Sequence, residues 1–156
     1  MIIFFDGPDQ SKKSSLAHSI SVSLEIPIWQ RGPYLPHHHG KDLHDEDAIY
    51  YIVDELRTIE LFKKIGENVI VDRHPMVSDM VYRRIEGKTS PFENVPARVD
   101  SQEFVVLCHN GAMEPLTVET YKRVLSKRGL EYIVVDTSDA VRAFEFLLGK
   151  IEQVIR

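Results

Sequence analysis

The run Phe4-Phe5-Asp6-Gly7-Pro8-Asp9-Gln10-Ser11-Lys12-Lys13-Ser14-Ser15 decides how this chain folds. Its left edge closes a short apolar segment, residues 1–5, suited to one buried strand and far short of the ~20 apolar residues a membrane helix needs. Asp6-Gly7-Pro8-Asp9 is a turn signal, because Gly and Pro interrupt helix and strand alike. From 13 to 24 the apolar residues Leu16, Ala17, Ile20 and Leu24 recur at helical spacing, so a helix begins where the turn ends. Strand, turn and helix in that order open a βαβ unit.

Working outward, the same alternation continues to the end of the chain. Residues 26–29 read as a second strand, and 31–45 as a loop rich in Gly, Pro and His. Asp45 or Asp47 suits the cap of a helix whose apolar face is Ile49, Ile52, Val53, Leu56, Ile59 and Phe62, with Gly66 as its stop. Strand 68–71 ends at Asp72, and a helix over 75–84 begins with a proline, which suits a first-turn position. Residues 88–100 carry two prolines and little periodicity and read as a loop. Strand 103–107, helix 115–127 with Gly129 behind it, and strand 132–135 ended by Asp136 follow. The last helix, capped by Ser138 or Asp139, is expected to bury Val141, Phe144, Leu147, Leu148, Ile151 and Val154. Five short apolar strands separated by helices mean parallel pairing and an α/β, three-layer fold with a five-stranded sheet. Such sheets bind ligands beyond the carboxyl ends of their strands, so the strand exits hold the candidate site.

The first exit matches G-x-x-x-x-G-K-[ST] from Gly7 to Ser14 except at the second glycine, which is Lys12. A strand before it and a helix after it are the context this P-loop pattern requires. Gly7, Pro8, Asp9, Gln10, Ser11, Lys12, Lys13, Ser14 and Ser15 are thus the candidate ATP-binding residues, with the backbone N–H groups of all but Pro8 available to phosphate. Lys13 is expected to pair with the β- and γ-phosphates and Ser14 to hold Mg²⁺. If position 12 needs a left-handed backbone, its lysine costs ~1–2 kcal/mol. A charge-assisted hydrogen bond to phosphate contributes ~1.5–3 kcal/mol. Lys12 is therefore a candidate catalytic cation or a mark of a weakened loop. At the third exit, Asp72 closes an apolar strand and suits Mg²⁺. Arg73 beside it offers a planar fork to a phosphate. An ordinary Asp–Arg surface pair is the plainer alternative.

These segments together resemble the thymidylate kinases. Residues 4–9 with Lys13-Ser14-Ser15 are similar to that family's F-E-G-x-D-G-x-G-K-S-T loop, Asp72-Arg73-His74 to its D-R-[YH] motif, Gln30-Arg31-Gly32-Pro33 to its R-E-P segment, and residues 132–137 to its final strand near adenine. The resemblance implies a nucleoside monophosphate kinase-like domain over 1–156 with ATP as donor. It implies Lys13, Asp72 and Arg73 as catalytic, Arg31 and Arg73 on the acceptor phosphate, Asp9 on the acceptor sugar, and Tyr50 or Tyr51 against a base; Lys12 is a further candidate catalytic cation that the family pattern does not carry. Core or surface packing is the plainer role for either tyrosine, and Arg57 is placed to pair with Asp54. Two family glycines are replaced, by Gln10 and Lys12, and Ser78 and Tyr82 fall one place late. The family's lid interval is reduced here to 110–130, where Lys122, Arg123, Lys127 and Arg128 are either a remnant lid or a solvated helix face.

Composition limits the rest. The chain has 156 residues and a formal charge of −5, which disfavours broad binding to duplex nucleic acid. Cys108 is the lone cysteine, so no intrachain disulfide forms and a cytoplasmic setting is expected. His37, His38, His39 and His44 lack the spacing of a zinc site. The expected activity is phosphoryl transfer from ATP·Mg²⁺ to a deoxynucleoside monophosphate. Alternatives are a deoxynucleoside or hydroxymethylated pyrimidine acceptor, free or in DNA, and a non-catalytic nucleotide-binding module. The expected partners are small nucleotides, with no membrane and a possible homodimer through the helix before Asp72.

Overall fold

The structure, a computed structural model, describes residues 1–29 and 45–156. Gln30, the acceptor candidate Arg31, Gly32, Pro33 and all four histidines named above lie outside them. The elements follow as β1 (Ile2–Asp6), α1 (Lys13–Leu24), β2 (Ile28–Trp29), α2 (Asp45–Ile65), β3 (Val69–Asp72), α3 (Pro75–Ile85), β4 (Glu103–His109), α4 (Pro115–Arg128), β5 (Tyr132–Asp136) and α5 (Ala140–Ile155). The sheet is five-stranded and parallel throughout, in the order β2-β3-β1-β4-β5.

Strand alternation divides the core in two. Ile2, Phe4, Val69, Val71, Val105 and Leu107 face α2, α3 and α4, where they meet Ile59, Met80, Tyr121 and Leu125. Ile3, Phe5, Ile70, Phe104, Val106 and Cys108 face α1 and α5, where they meet Ile20, Leu147 and Ile151. Both faces are covered, so the strands read as unbroken apolar runs instead of alternating ones. β1 is central and fully buried. Its register sets Phe5 opposite Asp72 on one side and Asp6 opposite Leu107 on the other. The exits of β1 and β3 are thereby neighbours.

Four details depart from expectation. β2 is two residues long, and β4 runs on to His109. Asp45 is already helical and no cap of α2. Val141 is exposed and Ala143 takes the buried place, because the cap at Asp139 turns the second helical position outward. Among the described residues no helix is long and apolar enough to cross a membrane.

Candidate active site

Between β1 and α1 the chain turns under close constraint. Gly7 has φ 142°, and a Cβ there would lie 2.2 Å from the carbonyl oxygen of Cys108 at the end of β4. Gln10 and Lys12 occupy left-handed conformations (φ 62° and 57°), the two positions where the resembled pattern carries glycine. No side chain caps α1, and its first turn holds no acidic residue. Its N–H groups and the positive end of its dipole are therefore left for an external anion.

Lys13 does not lie solvated on the surface. It is buried, 8% exposed, and its ammonium donates to the Pro8 carbonyl at 3.2 Å. Burial, and next the charge of Arg73, lower its pKa. Ser14 Oγ donates to Asp72 Oδ2 across the β1–β3 boundary at 3.0 Å. Asp72 Oδ1 is buried with no hydrogen-bond partner. An unpartnered carboxylate oxygen beside a serine hydroxyl is a hard-oxygen donor set of the kind Mg²⁺ takes. Ser14 and Asp72 thus fit the metal role expected of them.

Arg73 pairs with Asp9 instead of with its neighbour Asp72. Nη2 donates to Asp9 Oδ1 at 2.6 Å, and Nη1 donates to the Gly7 carbonyl at 3.4 Å and to Tyr82 Oη at 3.3 Å. The guanidinium lies 5.6 Å from the Tyr82 ring centroid. Burial alone would lower its pKa, but Asp6 and its tyrosine neighbours outweigh that, and it is held charged. The Asp9 side chain is 75% exposed at the mouth of the site.

On the other flank, Lys12, Ser15, Leu16, Ser19, Thr137, Ala140, Ala143 and Phe144 line a cavity of about 100 Å³ between α1 and α5. Thr137 fastens its rim by donating to the Ser11 carbonyl at 2.7 Å. Asp136 joins the turns after β4 and β5 by accepting from Gly111 N and Ser138 N. Those backbone bonds lower its pKa to about 2.

The other candidates are placed less centrally. Tyr50 is exposed on α2 and Tyr51 half-buried. Arg57 pairs with Asp54, as its spacing implied. In the 110–130 interval, Lys122 pairs with Glu119, Lys127 with Glu93, and Arg128 donates to the carbonyls of Val95 and Pro96. Arg123 is exposed. Asp6 was not read as a candidate. Its sequence signals are an acid at the end of a wholly apolar strand, where an unpaired charge would be prohibitive, and its place at the acidic position of the resembled F-E-G run.

No protein-family model matches the chain, and no curated protein matches it in sequence. Solved structures do. Deoxyadenosine kinase from M. mycoides, with products dCMP and dCDP bound, is 17% identical over 98% of this chain and 100% of that one, with a TM-score of 0.69. Thymidylate kinase from Ehrlichia chaffeensis is 13% identical over 100% and 98%, again at 0.69. The YorR protein from Bacillus subtilis, solved with phosphorylated GDP, is 21% identical over 98% of both chains at 0.60. The likeness at these identities is one of fold, and it extends over nearly the whole chain.

Proposed function

We propose that this chain is an ATP-dependent kinase that transfers a phosphoryl group to a deoxynucleoside monophosphate of the thymidylate type. One observation carries the proposal. Ser14 on the donor loop is hydrogen-bonded to Asp72 at the next strand exit, with an unpartnered Asp72 oxygen beside it. A plain βα turn has no need of that arrangement.

The uncapped start of α1 and the loop N–H groups receive the donor's phosphates, and Lys13 adds the buried positive charge that the γ-phosphate seeks. The cavity beside Lys12 and Phe144 takes the rest of the donor nucleotide. Bound at Ser14 and Asp72, Mg²⁺ would neutralise charge on the donor's terminal phosphates. Arg73 orients the acceptor phosphate, whose oxygen attacks phosphorus while the bond to the ADP oxygen breaks. Lys12 stands in part for the arginines of a full lid. The α2 tyrosines contact the acceptor base, and α2 also offers a surface for a second copy.

A second reading has support of its own. Arg73 is already paired with an exposed carboxylate, Asp9. A carboxylate at the acceptor end can take the proton of a nucleoside hydroxyl, whereas an acceptor phosphate must displace it. Initial rates with ATP·Mg²⁺ across nucleosides, nucleoside monophosphates and oligonucleotides decide the matter. Fastest transfer to monophosphates supports the first reading, and fastest transfer to nucleosides replaces it with the second. ATP binding without transfer to any acceptor makes the chain a binding module.

A further inference from the structure

We propose that Asp6 and Tyr121 are positioning residues, which hold the donor loop and the acceptor arginine at one fixed spacing without touching substrate. The proposal rests on the kinase reading above.

Asp6 is wholly buried, yet every donor it needs is present. Oδ1 accepts from Gly7 N at 2.9 Å and from the Tyr121 hydroxyl at 2.8 Å. Oδ2 accepts from His74 N at 3.0 Å and from Ser78 Oγ at 2.9 Å. Two of these donors flank the chemistry. Gly7 opens the loop that carries Lys13, and His74 directly follows Arg73. One carboxylate thus ties the backbone on the donor side to the backbone on the acceptor side.

Arg73 needs such a tie. Its φ of 69° is left-handed, a conformation a non-glycine residue keeps only where its surroundings fix it. Arg73 N donates to the Phe5 carbonyl at 2.9 Å, and the next peptide is fixed by Asp6. Asp6 Oδ1 also lies 3.9 Å from Arg73 Nη1 and favours its charge.

Tyr121 reaches the arginine by a second route. Its ring meets Tyr82 edge-on, with centroids 6.4 Å apart at 90°, and Tyr82 accepts from Arg73 Nη1. Tyr121 is fully buried on α4 and offers no surface to a ligand. It acts through Asp6 and Tyr82. Helix α4 spans most of the interval expected to hold a lid, and here it braces the acceptor site from behind.

Donor and acceptor must meet in line at near-contact distance, and small misplacements cost large factors in rate. Tyr121→Phe and Asp6→Asn in the full chain test the idea, with kcat and both KM values measured against ATP·Mg²⁺ and the best acceptor. The folded fraction is read by circular dichroism in the same buffer. For Tyr121→Phe we expect acceptor KM to rise about fivefold and kcat to fall about threefold, with ATP KM changed less than about twofold. Asp6→Asn replaces an acceptor oxygen by an NH₂ that faces donors, and if it folds it should lose about a hundredfold in kcat. If it does not fold, Tyr121→Phe carries the test. A merely structural role lowers only the number of active molecules, so kcat falls while both KM values stay put; that result overturns the proposal, as does unchanged kinetics. A wild-type chain that transfers to no acceptor overturns the kinase reading and this inference with it. An active wild type with an unmoved acceptor KM overturns the inference alone.

Discussion

At Gly7 a side chain has nowhere to go, since its Cβ would sit inside the Cys108 carbonyl and its backbone is left-handed. Gly7→Ala is expected to cost well over about 1 kcal/mol in urea denaturation. Lys12 is the reverse case. It holds φ 57° and lines the cavity between α1 and α5, so Lys12→Gly relieves ~1–2 kcal/mol of left-handed strain. Stability should hold or rise, and turnover should nevertheless fall about tenfold, because a fixed cation near the transferring group is lost. Faster turnover in that variant would make Lys12 a defect of the loop. Arg73→Lys keeps the charge and loses the fork that spans Asp9, Gly7 and Tyr82. Acceptor KM should rise more than about tenfold while ATP KM stays within about twofold. Equal losses for both ligands would move Arg73 to the donor side.

Between elements, some of the ties are half-buried ion pairs. Lys63 on α2 holds Glu60, Asp100 and Glu103 at 2.6–2.7 Å, and Glu103 at the start of β4 faces His74 at 3.6 Å. Burial alone would raise the Glu103 pKa, but His74 and Lys63 outweigh it and lower it to about 2. A carboxylate with a depressed folded pKa stabilises above its unfolded value, and that contribution disappears as pH falls through the folded one. The window here runs from about pH 4.5 down to about pH 2, and the contribution is on the order of 3 kcal/mol. Glu103→Gln should therefore flatten the acid limb of urea stability across that window; a limb as steep as that of the wild type would show that Glu103 does not carry it. The helix caps show what sequence reveals at this scale. Asp139 was legible because aspartate is a preferred cap. His74, whose Nδ1 accepts from Val77 N, was not, because histidine is seldom used so. The spacing of Lys63 from Glu60 on α2 was readable, but Asp100 and Glu103 come from segments that only folding brings to it.

For the molecule as a whole, the alternation of strands and helices was enough to give the parallel sheet, and the run from Gly7 to Ser14 was enough to place the turn between β1 and α1. Strand order was not legible, because it depends on which crossovers bury both sheet faces. Nor was the Asp6–Tyr121 bond, whose partners are 115 residues apart in sequence. Arg73 was legible as a candidate at a strand exit, but its pairing with Asp9 was not, because both residues have other charged neighbours in the chain. On the proposed kinase reading, stability depends on ligand. ATP·Mg²⁺ at about a hundred times its Kd should stabilise the folded chain by about 2.7 kcal/mol. For 156 residues that is a rise of about 5–10 °C in Tm. Lys13→Ala separates binding from folding. The lysine is buried, and burial already disfavours its charged form, so removing it relieves that desolvation and should leave the ligand-free Tm unchanged or slightly higher. The same substitution removes the cation proposed to meet the β- and γ-phosphates, so the rise with ATP·Mg²⁺ should shrink to about 2 °C or less. Turnover should fall by about a hundredfold or more. Thermal melts with and without ATP·Mg²⁺, with EDTA as the metal-free arm, measure all three quantities. A Lys13→Ala protein that keeps the full ligand-induced rise would place the donor phosphates elsewhere, and the loop at Gly7 would then be only a turn.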